Sequence, residues 1–117
     1  MHCILIAEDE PRIAAFIEKG LRRSGFSTIV VSDGNVAIEA VFNNDVDLLL
    51  LDLGLPGKDG QEVLRELRKQ NITLPIIVIT ARSLDQQDGE VFSLATDVVS
   101  KPLVTRDLVQ KVKLLLS

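Results

Sequence analysis

Two stretches of the chain, Leu48–Leu51 and Ile76–Ile79, are apolar at every position. A strand with one face in water alternates apolar and polar residues. An unbroken apolar run instead suits a strand covered on both faces, as in a parallel sheet packed between helices. Three further short runs, Cys3–Ala7, Thr28–Val31 and Val98–Val99, make five at fairly regular intervals.

The segments between them carry helical patterns. Pro11 opens one, with Ile13, Phe16, Ile17 and Leu21 on a single face, and Ser24-Gly25 closes it. Asp33 is placed to cap the next, which bears Val36, Ala37, Ala40 and Val41. Asp59 caps a third with Val63, Leu64 and Leu67, and Thr105 caps the last with Leu108, Val109, Val112 and Leu115-Leu116. Ser83–Leu94 is polar and contains Gly89, which predicts a short or mobile helix. Strands alternating with helices and joined by right-handed crossovers give a doubly wound α/β sandwich, expected as one domain over residues 1–117.

Composition narrows the function. There is no Trp or Tyr and there are four Phe, so the core is aliphatic. A net charge of -4 without any basic run argues against non-specific nucleic-acid binding. No run approaches membrane-spanning length and the first apolar run is too short for a signal peptide, so a cytoplasmic location is expected. The lone Cys3 cannot form an internal disulfide and reads as a small buried strand residue.

In open parallel sheets, chemistry gathers beyond the carboxyl ends of the strands. The first run ends in Glu8-Asp9-Glu10, the third in Asp52, the fourth in Thr80 and the fifth in Ser100-Lys101-Pro102. If the strand order is 2-1-3-4-5, then Glu8, Asp9, Asp52, Thr80 and Lys101 face one crevice. Three clustered carboxylates repel and raise one another's pKa unless a cation joins them, and hard oxygen donors of this kind suit Mg²⁺. Asp52 is then a candidate nucleophile that forms an acyl phosphate, with Lys101 and the Thr80 hydroxyl placed to stabilise phosphoryl oxygens.

Taken in order, "AEDE", "LLLLDLGLPGKDG", "PIIVITAR" and "SKPL" resemble the receiver domain of two-component response regulators over essentially the whole chain. The resemblance implies a flavodoxin-like (βα)5 fold with sheet order 2-1-3-4-5. It implies Asp52 as phosphoryl acceptor, with Glu8, Asp9 and the carbonyl of Gly54 joining Asp52 around Mg²⁺. Thr80 would be the switch hydroxyl, Lys101 the phosphate-binding lysine, and the bond to Pro102 would be cis. The implied donor is a histidine kinase or phosphotransfer protein. The implied output is a face of fourth helix, fifth strand and fifth helix that controls homodimerisation or an effector, with no membrane or direct nucleic-acid contact by this domain.

The pattern departs from the family on that output face. Val98 stands where receivers usually carry the switch Tyr or Phe, and the Thr80–Lys101 stretch is one residue shorter than the common spacing. In winged-helix regulators this face dimerises through charge pairs. The "LGLPGKDG" loop resembles that class, and Asp97 and Lys111 are candidates for one such pair. Other readings are weaker. A haloacid-dehalogenase-like phosphatase would want an Asp at Gly54, the Gly57-Lys58 pair lacks the rest of a P-loop, and the glycine-free turn Glu8-Asp9-Glu10-Pro11 would repel a dinucleotide phosphate. The competing reading is a receiver-like interaction domain that works without phosphorylation.

Overall fold

The computed structural model describes all residues, Met1–Ser117. Its elements are β1 (Cys3–Ala7), α1 (Pro11–Arg23), β2 (Ser27–Val31), α2 (Gly34–Asn43), β3 (Leu48–Asp52), α3 (Gly60–Lys69), β4 (Ile76–Thr80), α4 (Gly89–Leu94), β5 (Asp97–Ser100) and α5 (Thr105–Leu116), with a 3-10 turn at Gln86–Asp88 before α4. The five strands form one parallel sheet in the order β2-β1-β3-β4-β5. No helix is long and apolar enough to cross a membrane.

The unbroken apolar runs are explained by two cores, one on each side of the sheet. Leu5, Leu49, Leu51, Ile76 and Val78 pack on Ala37, Val63, Leu64, Leu67 and Val91 of α2, α3 and α4. Ile4, Ile6, Leu48, Leu50, Ile77 and Ile79 pack on Ile17, Leu21, Leu108 and Val112 of α1 and α5. Successive residues of a strand point to opposite faces, so β3 and β4 must be apolar throughout. Both strands also run one residue past their apolar stretch, which makes Asp52 and Thr80 the terminal strand residues.

Capping follows the sequence at two helices and departs from it at a third. The Asp33 carboxylate accepts the N–H groups of Asn35 and Val36, and Asp59 accepts that of Glu62. Helix α5 has no side-chain cap. Its N-cap position is Val104, and Thr105 is already helical, its methyl group turned to Gly20 of α1, where a Cβ would come within 2.6 Å of it. Packing against α1 has taken the place of the expected cap. Phe16 also departs from its expected place, being 67% exposed while Ala14 occupies the buried stripe of α1. Cys3 is half-buried, at the outer end of β1. The polar stretch before β5 does form a short helix, α4, without a side-chain cap of its own; the reciprocal cap belongs to the 3-10 turn ahead of it, where Gln87 N–H donates to Asp85 and Asp85 N–H donates to Asp88.

Gly60 begins α3 against the end of β3. A Cβ there would lie 2.4 Å from the Asp52 carbonyl oxygen and 2.5 Å from Leu53 Cα. Both are backbone atoms, so α3 would have to move away from the strand that carries Asp52. Gly89 has open space around its Cβ position. Gly60→Ala is therefore expected to lower stability, while Gly89→Ala should raise it by about 0.5–1 kcal/mol through the helix preference for Ala. Urea denaturation of both variants checks this, and equal effects would refute the assigned close approach.

Candidate functional site

Strand parity decides which side chains meet. Ile4 and Ile6 of β1 and Leu48 and Leu50 of β3 face the α1/α5 core. Glu8 and Asp52 have the same parity one step beyond that apolar layer, at the carboxyl edge of neighbouring strands paired Ala7 to Leu51. This is also where the chain order reverses, with β2 on one side of β1 and β3 on the other. Both carboxylates are buried, and Lys101, just beyond β5, bridges them. Its Nζ lies 3.0 Å from Glu8 Oε1 and 3.1 Å from Asp52 Oδ2. The other oxygen, Asp52 Oδ1, accepts the Gly54 N–H at 3.0 Å. The Lys101–Pro102 peptide is cis.

Thr80 closes the far side. Its buried hydroxyl is held by the backbone of a single residue: it accepts the Arg82 N–H at 3.2 Å and donates to the Arg82 carbonyl at 3.4 Å. Asp9, Asp52, Gly54, Thr80, Arg82 and Lys101 line an open crevice of about 360 Å³, and Glu8 is buried behind Lys101. Val98 pairs with Val78 in β5 and is half-buried against the α2–α4 core, away from the crevice. Asp97 and Lys111 bond to each other within the chain at 2.9 Å.

The electrostatics are uneven. Burial, then the nearness of Asp52, pushes the Glu8 carboxyl up to about 7. Burial acts on Asp52 in the same direction, but the neighbouring Glu8 carboxyl and the hydrogen bonds from the Gly54 N–H and Lys101 outweigh it and hold this carboxyl below its ordinary range. Burial alone would lower the Lys101 ammonium, yet its two carboxylate partners raise it. The mutual elevation expected for the cluster thus falls on Glu8, and Asp52 moves the other way because it takes more hydrogen bonds as an anion.

The donor set suits a hard divalent cation. Carboxylate oxygens of Glu8, Asp9 and Asp52 all lie within 4.8 Å of one another. Glu8 Oε1 is buried with no hydrogen bond of normal geometry, because the nearby Lys101 supplies charge but not a well-directed donor. A buried carboxyl oxygen left without a hydrogen bond among other oxygen donors fits Mg²⁺ coordination.

Fold and site together define a flavodoxin-like domain whose acidic, lysine-neutralised centre is fitted to Mg²⁺ and phosphorylation. The chain belongs to the response regulator receiver domain family, whose model matches residues 4–113. These domains are the receiving half of two-component signalling. Solved structures agree. The receiver domain of the Francisella response regulator 1452 is 31% identical, with a TM-score of 0.92 over 98% of this chain and 96% of that one. The receiver domain of TorR, of the TMAO respiratory system, is 38% identical with a TM-score of 0.88 over 99% and 97%. Thermotoga maritima TrrA, solved in complex with Mg²⁺-BeF, is 33% identical with a TM-score of 0.89 over 98% and 99%.

The structure brings Glu8, Asp9, Asp52, Gly54, Thr80 and Lys101 to one edge and adds Arg82, which the sequence reading passed over. The signal for it was its place two residues beyond a strand-end Thr, on a loop leaving the same edge.

The elevated Glu8 sets a pH dependence in metal-free solution. Between its ordinary 4.5 and about 7, the folded protein keeps a proton that the unfolded chain has released. Stability in EDTA should therefore fall as pH rises through that window and level off above it. The shifts at Asp52 and Lys101 act outside the window, below ordinary carboxylate and above ordinary lysine values. Glu8→Gln should flatten the profile and melt higher than the unmodified protein at about pH 8. Parallel profiles for the two proteins would contradict it.

Proposed function

We propose that the domain takes a phosphoryl group onto Asp52 from the phosphohistidine of a histidine kinase or phosphotransfer protein, in a Mg²⁺-dependent reaction, with residues 1–117 acting as one receiver unit. One observation carries this reading: a buried carboxylate that favours its ionised form lies in the wall of an open crevice with an ammonium at 3.1 Å.

Glu8, Asp9, Asp52 and the Gly54 carbonyl would hold Mg²⁺, which when bound offsets charge on phosphoryl oxygens and joins the acids. An Asp52 oxygen attacks phosphorus while the donor's P–N bond breaks, and the imidazole nitrogen leaves with that electron pair. Lys101 already sits on the acceptor carboxylate, so it can follow the added negative charge without long travel. The Thr80 hydroxyl then has a new charged acceptor within its crevice, a stronger partner than the Arg82 carbonyl at 3.4 Å. Beside Lys101, an apolar hollow formed by Ile13, Phe16, Ile17, Pro102 and Leu103 offers a seat for the donor protein, with Phe16 as its exposed rim.

The output would pass from Thr80 through the segment leading to α4 and onto the α4–β5–α5 face, controlling homodimerisation or an effector. Exposed Phe92 on α4 gives that face an apolar anchor. Val98 is small and already packed beside Val78, so the change is expected in the backbone between Thr80 and Leu94 and not in a swinging ring. The net charge of -4 gives this domain no electrostatic grip on nucleic acid. No observation favours a purely phosphorylation-independent interaction domain.

Acetyl phosphate with Mg²⁺ should label the protein stoichiometrically, Asp52→Asn should abolish labelling, and Lys101→Ala should slow it by roughly a hundredfold, as loss of one preorganised charge does elsewhere. Intact-mass spectrometry reads this directly. Full labelling of Asp52→Asn would sink the assignment.

A further inference from the structure

Two cationic side chains belong to residues of the crevice wall, and the reaction above uses only one of them. Lys101 is committed to Glu8 and Asp52. Arg82 is committed elsewhere, at both of its ends. Its backbone N–H and carbonyl occupy the Thr80 hydroxyl, at 3.2 and 3.4 Å. Its guanidinium reaches along the chain to Asp88 Oδ1 at 3.0 Å.

Asp88 is a buried carboxylate in the 3-10 turn that runs directly into α4, and its second oxygen accepts the Asp85 N–H at 2.9 Å. One residue therefore spans the gap between the switch hydroxyl and the start of the output helix. The Thr80 hydroxyl cannot donate to a phosphoryl group while it donates to the Arg82 carbonyl. Once it turns, the Arg82 N–H loses its acceptor, and the loop that aims the guanidinium at Asp88 loses its tether.

We infer that the Arg82–Asp88 ion pair is a resting-state lock, which holds the entry to α4 in place and yields when the Thr80 hydroxyl turns to a phosphoryl group on Asp52. Arg82 is in this sense a positioning residue, acting on α4 through Asp88 and on Thr80 through its own backbone. The lock rests on the phosphoacceptor reading of Asp52. By linkage, a contact present only in the resting state opposes binding of anything that selects the switched state, so removing it must tighten that binding.

The probe is beryllofluoride with Mg²⁺, a mimic of the phosphoryl group, and calorimetry is the readout because the chain has no Trp or Tyr to report by fluorescence. Asp88→Asn and Arg82→Gln should each bind it about two- to fivefold more tightly, the factor expected for a partly exposed ion pair. Arg82→Lys, which keeps the charge, should stay near the unmodified protein. Without any ligand, hydrogen exchange over residues 80–94 should quicken in the two neutral variants while β1 and β3 keep their protection. An opposite result for the pair, with Arg82→Gln weaker and Asp88→Asn tighter, would mean that Arg82 touches the phosphoryl group itself and would overturn the lock. Unchanged binding in both variants would overturn it as well. If the unmodified protein bound no beryllofluoride at all, the phosphoacceptor reading would fall, and release of the lock by phosphate with it. Normal binding with indifferent variants removes the lock alone.

Discussion

Everything at the carboxyl edge of the sheet depends on Lys101 standing between Glu8 and Asp52. Two nearly solvent-free carboxylates at the ends of adjacent strands repel each other and lose hydration, and a buried charge without a partner is strongly destabilising. The ammonium answers both problems, but only from one position. It has to come from β5, two strands away from β3, over the end of β4. The strand order, the common ending of β1, β3 and β5, and the turn after β5 are all requirements of that single bridge. The aliphatic core beneath it supplies the stiffness that keeps three strands ending at one level.

The two walls of the crevice are made differently. On the Asp52 side the backbone is pressed between buried layers, and Gly60 lets α3 approach so closely that no methyl group fits. On the Thr80 side the chain leaves the sheet into polar residues tied by an ion pair, a carboxylate cap and a short 3-10 turn. Energetic contrast of this sort divides a domain into a part that stays fixed while charge is added and a part that can respond to it.

Much of this was legible in the sequence, for identifiable reasons. The strands could be read because two-sided burial leaves no polar position to confuse them, and the Asp33 and Asp59 caps because carboxylates there have few other uses. The candidate site could be read because parallel sheets send functional groups to one edge: Asp52 and Thr80 end strands, and Glu8 and Lys101 directly follow them. Thr105 misled because its hydroxyl suggests a cap while its methyl group was needed against Gly20. Phe16 misled because the helical stripe of α1 admits it, yet the residues that α1 buries are Ala14, Ile17 and Leu21. Arg82 went unread because its importance lies in two partners, Thr80 and Asp88, that no periodicity connects.

Arg68 of α3 gives the geometry of α4 a further meaning. Its guanidinium donates to the carbonyls of Ile72, Leu74 and Leu94, with no carboxylate on it, and burial lowers its pKa. Leu94 is the last residue of α4, so the far end of that helix is riveted to α3 and to the entrance of β4. Its near end is set by Val91 in the core, by the Asp88 turn and by a surface pair between Arg65 and Glu90, a kind of contact that contributes little in salt. A short rod fixed at one tip cannot translate. Under the proposed switching it would pivot, with the widest arc where it meets the loop from Thr80, so a small displacement at the crevice would become a change of tilt in α4.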